Sequence, residues 1–476
     1  MHRTKCTALI NHAIAPCMFT ELQRDIGGAD YSLVIDESTD ISSVKQLCVV
    51  ICYFSMTLNK VVSTFLGLIN LEGETAEAIA STLTRFLEII GLDIKRCIGL
   101  GTDGCSVMVG KRNSVYTHLL QKNSNLQLLK CVCHSIQLCV SKAVETLPRN
   151  LEYLVSHSHN WFSHSALRRR EYAKIYSLIN PGEIPLMLVQ MSEFNRNNKL
   201  FQQDRGNPFK MLECLLLFFR CLISRVVRPG MIPTSDEQLL AIDITDPSVL
   251  LPVGAVNYGV TFTMALDEAR MESTAERNMK SRCRDFLVEA GRQVQQRLTV
   301  NIQMWKSMTV FSPTVILSQT KPQLSSVSML KLYSGDLAAL ETQYQAVAYL
   351  PWTNKEDSQA EAFWVEVLNY KDSSGDHTFK TLALFSLSLL AMPLSNADVE
   401  RVFSQMSLVK SKLRNRMGQE TLSSILHIKY GLRRQGLCCK DFAPTQEMFQ
   451  RFNSHMYSVS GASESRETDT DEDSED

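Results

Sequence analysis

Between Tyr31 and Pro148 the hydrophobic period of the chain switches repeatedly between two and 3.6, which few architectures can accept. "YSLVID" is a short apolar strand ending in a carboxylate, and "LCVVICYF" (47–54) and "VVSTFLGLINL" (61–71) follow at hairpin distances. Three such runs predict an antiparallel meander. "ETAEAIASTLTRFLEIIGL" then places Ala76, Ile79, Leu83, Phe86, Leu87 and Ile90 on one helical face, with Gly91 as its stop. "CIGLGTDG" reads as strand four, "SVYTHLLQK" as a helix, "LQLLKCVC" as strand five and "HSIQLCVSKAVETL" as a helix closed by Pro148. The order β-β-β-α-β-α-β-α predicts an α/β fold, a mixed sheet with helices on its faces.

From about 150 to 365 the pattern is mainly helical, broken by irregular pieces such as "RPGMIPTSDEQ" and "DPSVLLPVG", and shows no internal repeat. Helical periodicity returns near Thr378 and runs to Arg434, interrupted near Pro393 and Gly418. The organisation expected is a helical lead-in (1–25), a first α/β part (26–150), a mainly helical insertion (151–365), the end of the core with a helical C-terminal region (366–435), and a last segment with an acidic tail (436–476).

With 476 residues, 45% apolar and 21% charged, the composition is that of a soluble globular protein of two or three domains. The N-terminal "MHRTKCTALINHAIAPCMFTEL" has no stretch apolar enough for a signal peptide, and "CLLLFFRCLI" (214–223) is too short to span a bilayer. Fourteen scattered cysteines do not make a disulfide framework. Together these predict an intracellular protein with no membrane partner. The tail from Ser463 holds eight acids and one arginine, a charge of −7, so a net −1 leaves about +6 on the remainder. A mildly basic body permits nucleic-acid binding without requiring it, and the tail reads as a disordered acidic appendage.

Asp36 ends strand one and Asp103 ends strand four. If those strands are neighbours, the two carboxylates sit roughly 5 Å apart at one sheet edge. Hard oxygen ligands so placed suit Mg²⁺ or Mn²⁺, and a third carboxylate would complete a site for two ions about 4 Å apart. The candidate is Glu400 in "SNADVERVFSQM", pressed between two members of an apolar stripe of Val399, Val402, Phe403 and Met406. Each acid also has an ordinary structural reading: "DESTD" is good turn chemistry, Asp103-Gly104 is a common loop start, and Glu400 has Arg401 beside it.

"LSNADVERVFSQMSLVKSKLRNRMGQETLSSILHIKYGL" resembles the C-terminal dimerisation region of hAT-family DNA transposases, a small-residue run followed by E-R-x-F-S and a basic K-x-R-x-R segment. "VIDESTD" and "GLGTDGCSVMVG" are similar to the family's first and second acidic motifs, and "CVCH" contains its C-x-x-H. The likeness covers about 26–150 and 370–435. It implies a ribonuclease-H-like core interrupted by a helical insertion, and a cut-and-paste mechanism in which Asp36, Asp103 and Glu400 bind Mg²⁺ or Mn²⁺. In the family, water cleaves at the transposon end, the new 3′-hydroxyl closes a hairpin on flanking DNA, and transposon 3′ ends later join a target; all are in-line phosphoryl transfers.

Cys131 and His134 match the C-x-x-H, but one such pair lacks the second pair of a structural zinc site. Zinc is therefore not expected, and support of the active-site edge is. Lys410, Lys412, Arg414 and Arg416 form a basic run suited to DNA phosphates or to a solvated loop. Phe403, Leu422, Ile425, Leu426 and Ile428 either finish the monomer core or bury a second face against another copy; the resemblance favours a homodimer.

Two departures bear on activity. The chain starts about 35 residues before Asp36 without the zinc-binding finger that usually recognises transposon ends, and no T-R-W motif opens the insertion, which reads "MSEFNRNNKLFQQDRGN". Trp161, Trp305, Trp352 and Trp364 lack that motif's context. The expectation is a nuclear, transposon-derived, dimerising protein, associated with DNA and drawing sequence specificity from a partner protein, that no longer performs full transposition. The alternatives are an active Mg²⁺- or Mn²⁺-dependent transposase or nuclease, a cytoplasmic location, and a scaffold whose acidic tail recruits basic partners or is phosphorylated at Thr468, Thr470 or Ser474.

Overall fold

The computed structural model describes residues 3–39, 45–71, 73–146, 206–268, 271–298, 301–411 and 414–461. In chain order its principal elements are α1 (Arg3–Leu9), α2 (Ala15–Ile26), β1 (Tyr31–Thr39), β2 (Lys45–Ser55), β3 (Lys60–Asn70), α3 (Ala76–Ile89), β4 (Cys97–Thr102), α4 (Ser106–Val109), α5 (Val115–Lys122), β5 (Gln127–Lys130) and α6 (Val132–Val144). After further residues come α7 (Met211–Ile223), α8 (Ser273–Leu298), α9 (Ile302–Thr309), α10 (Ala360–Asn369), α11 (Lys380–Leu390), α12 (Ala397–Val409), α13 (Gln419–Gln435) and α14 (Gln446–Arg451), with shorter helical pieces between. The five strands make one mixed sheet in the order β3-β2-β1-β4-β5. The α/β expectation holds, and so does a mainly helical remainder.

The backbone divides into two compact units, 1–97 with 398–476, and 98–397. In the first, the meander pairs antiparallel, Asp36 lying opposite Cys48, with a register shift at Val49/Val50 in the β2–β3 ladder. Leu33, Val34, Ile35 and the whole of Leu47–Phe54 are buried. Strands covered on both faces need no polar alternation, which is why these runs read as continuously apolar.

Helix α3 begins where the Thr75 side chain accepts the Ala78 N–H, and it ends at Gly91, whose φ of +75° a side chain would resist. Gly67 on β3 makes room for the α3 residue Phe86: a Cβ there would lie 2.6 Å from the ring. The C-terminal helix α13 packs on β3 and α2, burying Leu422, Leu426 and Tyr430. Full burial of each leucine contributes about 2–3 kcal/mol. Gln419 Nε2 donates to the Leu68 carbonyl at 3.1 Å, and Asn11 Nδ2 donates to Thr421 Oγ1 at 3.1 Å.

A buried ion pair closes this unit. Arg434, 6% exposed, donates to Asp25 at 2.7 Å and Glu21 at 2.9 Å. Asp25 also accepts from the hydroxyls of Tyr53, at 2.6 Å, and Ser55, at 2.7 Å. Burial alone would raise the Asp25 carboxyl, but these hydroxyls and then Arg434 hold it below its ordinary value.

In the second unit β4 and β5 run parallel, Gly99 opposite Gln127 and Thr102 opposite Lys130. Strand five is shorter than the sequence pattern predicts: it stops at Lys130 because Cys131 caps α6. Helix α6 packs along the long helix α8, which also packs on α7. An aromatic cluster of Trp352, Phe363, Tyr370 and Phe379, with ring centroids 5.6–6.0 Å apart around Trp352, forms another part of the core.

Candidate nucleic-acid and dimerisation site

Asp36 stands half-buried within β1, where its Oδ1 accepts the backbone N–H of Glu37 at 2.9 Å. Asp103 follows the last residue of β4 and is likewise half-buried, Oδ1 accepting the Cys105 N–H at 3.3 Å in a tight turn. Asp103 thus lies at the strand end that the pattern predicts, whereas Asp36 does not end its strand, because the ladder with β2 continues through Thr39 opposite Lys45; both use one oxygen to shape the local backbone. Asp36 belongs to the first unit with Glu400, Asp103 to the second.

Glu400 has surroundings other than those its neighbours in sequence suggest. Val399 and Val402 are fully buried and Met406 is 6% exposed, whereas Glu400, Ser404, Ser407 and Leu408 face solvent. The reason is rotation: each residue advances about 100° around a helix, so Glu400 falls outside the stripe its chain neighbours form. It sits in the first turn of α12 with Asp398, where negative charge complements the helix dipole. Asp398 is engaged: it accepts from Arg401 at 2.6 Å and from the β3 hydroxyl of Ser63 at 2.7 Å. Among the described residues no group of three or more His, Cys, Asp and Glu side chains is gathered so as to hold a metal ion.

The C-x-x-H has a visible local task. The Cys131 thiol sulfur accepts the His134 N–H at 3.4 Å, capping α6, and also the buried Asn396 N–H at 3.2 Å. The Val132 N–H donates to the Leu394 carbonyl at 3.5 Å. The start of α6 thus pins the stretch that leads into α12. Nothing in the spacing of "CVCH" reveals the partner 265 positions away. The His134 imidazole lies 3.6 Å from where a Cβ on Gly104 would stand, beside the Asp103 turn. Asn396 itself is 3% exposed, and its side-chain amide makes no hydrogen bond.

The basic run is split. Lys410 is 7% exposed, packed at the end of α12, whereas Arg414 and Arg416 are exposed just before α13. Lys412 lies outside the described residues. The apolar set is split as well: Leu422 and Leu426 complete their own unit's core, while Phe403, Ile425 and Ile428 are half-buried. Leu408, which spacing did not single out, is 71% exposed on α12.

The described tryptophans are buried. Trp364 is wholly buried, its Nε1 donating to the Phe311 carbonyl at 3.0 Å; Trp352 donates to the Val347 carbonyl at 2.7 Å; Trp305 is 3% exposed. Trp161, Thr468, Thr470 and Ser474 lie outside the described residues. No described helix is long and apolar enough to cross a membrane.

Two family models match the chain. The model of a ZMYM1/FAM200 RNase-like domain matches residues 4–114, and that of the hAT family C-terminal dimerisation region matches 353–432. The first spans the meander, β4 and Asp36 and Asp103; the second spans α10 to α13 and supports self-association.

Proposed function

We propose that the chain, which matches the models of an RNase-like domain and of the hAT C-terminal dimerisation region, is a hAT transposase-like protein that acts as a dimeric, DNA-associated nuclear protein and no longer performs full transposition. The observation that carries this is a contrast within one molecule. Arg414 and Arg416 are exposed in the dimerisation region, ready for phosphate, whereas Trp352 and Trp364 are locked in the core and present no face to an extruded base. Two arginines per copy would be doubled by dimerisation, giving a sequence-independent grip on a duplex. Sequence specificity would then come from a partner protein.

A second reading, an active nuclease, is favoured by the position of Asp36 in the last part of β1 and of Asp103 just past β4. Asp36, Asp103 and Glu400 are the residues that would hold Mg²⁺ or Mn²⁺, whose chemistry is to lower the pKa of a bound water and to stabilise a leaving oxygen. The three carboxylates are the hard donors those ions prefer.

One experiment separates the readings. Full-length protein is incubated with supercoiled plasmid in Mg²⁺ or Mn²⁺, and duplex binding is followed by anisotropy at several salt concentrations. DNA retention that Arg414→Gln with Arg416→Gln weakens at least fivefold, without nicking, is the expected result. Nicking lost in Asp36→Asn, Asp103→Asn or Glu400→Gln would replace the first reading with the second, and absence of any DNA retention would remove both.

A further inference from the structure

Within the second unit, a cavity of about 400 Å³ lies between α6, α7 and α8, a size ordinary for small-molecule sites. Among the described residues its lining includes two cations, Lys130 and Arg297, and no carboxylate; the neutral polar groups include Gln293 and Asn301, and the flat apolar ones are Phe218 and Trp305. Arg297 is held in place: its Nη1 donates to the Gln293 carbonyl at 3.3 Å and to Gln293 Oε1, and Gln293 Nε2 donates in turn to Glu289 at 2.7 Å. Glu289 is paired with Arg292 at 2.6 Å. The rung of side chains along α8 therefore fixes the guanidinium through a neutral amide and leaves its charge uncancelled by that carboxylate.

The two cations mark different levels of the cavity. Lys130 ends β5, just before α6 begins, while Arg297 stands by Cys139, two turns along that helix. Burial pushes the Cys139 thiol up to about 11, and the Arg297 guanidinium opposes that rise. Seven helical residues separate Val132 from Cys139, a backbone rise of roughly 10 Å, which the long lysine and arginine side chains can close from the two ends. Amides beside aromatic rings suit a heteroaromatic ring, which offers both a π face and hydrogen-bonding edges.

We propose that this cavity binds a nucleotide unit, a heteroaromatic base carrying a phosphate, with Lys130 and Arg297 holding the anionic end. The unit is either a free mononucleotide or the 5′-phosphorylated end of a strand; the chemistry that recognises it is the same. This goes beyond the DNA contact assigned to Arg414 and Arg416, which lie in the other unit, so the two fail independently.

Isothermal titration calorimetry on the full chain tests it with dAMP, with 5′-phosphorylated tetrathymidylate and with the unphosphorylated oligomer. Saturable heat is expected from dAMP or the phosphorylated oligomer, weakened at least tenfold by Arg297→Gln or Lys130→Gln. Leu138→Trp, at the partly exposed lip of the cavity, should abolish it while the melting temperature holds. If Arg297→Gln fails to fold, Lys130→Gln carries the same test. Binding of dAMP assigns the site to free nucleotide, and binding of the phosphorylated oligomer alone assigns it to a strand end. No saturable heat at millimolar ligand, equal affinity for the unphosphorylated oligomer, or affinity unchanged by both charge variants would overturn the proposal.

Discussion

At the scale of single residues, the first unit contains a histidine that cannot easily become charged. His427 sits on α13 between Phe19 and Phe65, both ring centroids 4.8 Å away, and burial lowers its pKa to about 4. In the unfolded chain it would titrate near 6.5, so below that pH the unfolded state takes up a proton that the folded state refuses. Stability should therefore fall as pH drops from about 6.5 towards 4, by roughly 3 kcal/mol over that window. Urea melts of wild type and His427→Phe across this range check it: the variant should lose most of the slope, and parallel curves would remove His427 as the cause. Asp25 adds a separate, more acidic loss, because a carboxyl held below its ordinary pKa stabilises above the unfolded value and gives way as pH falls through the folded one. The position of Asp103 was legible as a strand end, whereas the polar "EST" after Asp36 hid the continuation of β1 to Thr39. The exposure of Glu400 and the burial of Lys410 were not, since side-chain identity names a charge but not which way a helix turns it.

At the scale of elements, the meander and α3 were readable because each hydrophobic run has one period and a clear stop. Strand five was overread: "LQLLKCVC" is apolar throughout, and only the cap formed by Cys131 shows where strand becomes helix. Cys131→Ala removes the acceptor for two backbone N–H groups, one of them in a buried setting, and should cost about 1–3 kcal/mol. Hydrogen exchange at Asn396 should accelerate, while Cys131→Ser, which restores an acceptor, should recover part of the protection. Unchanged exchange at Asn396 in the alanine variant would show that the sulfur does not hold this junction. The insertion stayed illegible for a different reason. Its helices are joined by irregular stretches with no repeat, so pattern alone cannot say which faces meet. The same ambiguity hid the cavity, whose walls come from three helices up to about 170 residues apart in sequence.

At the scale of the whole molecule, the dimerisation match and the side-chain exposures divide one region into two duties. Leu422 and Leu426 serve the unit's own core, so replacing them should unfold it, whereas Leu408 contributes little there and is 71% exposed. Leu408→Glu with Phe403→Ala should shift light-scattering mass from dimer towards monomer and leave the melting temperature within a few degrees of wild type. A wild type that is monomeric at tens of micromolar would remove self-association through this face, and a variant that stays dimeric would place the contact elsewhere. Sequence resemblance pointed to the region, and burial decides which of its apolar residues remain free for a second copy. The first unit also has an unusual schedule of birth. Its two pieces flank 300 residues, which a ribosome needs roughly 15 to 60 s to make. During that interval the newly emerged meander lacks α13, and Arg434 has not yet been translated to meet Asp25. A sticky sheet waiting that long is a natural client for chaperones, and nonsense truncations upstream of 398 should leave it permanently unfinished.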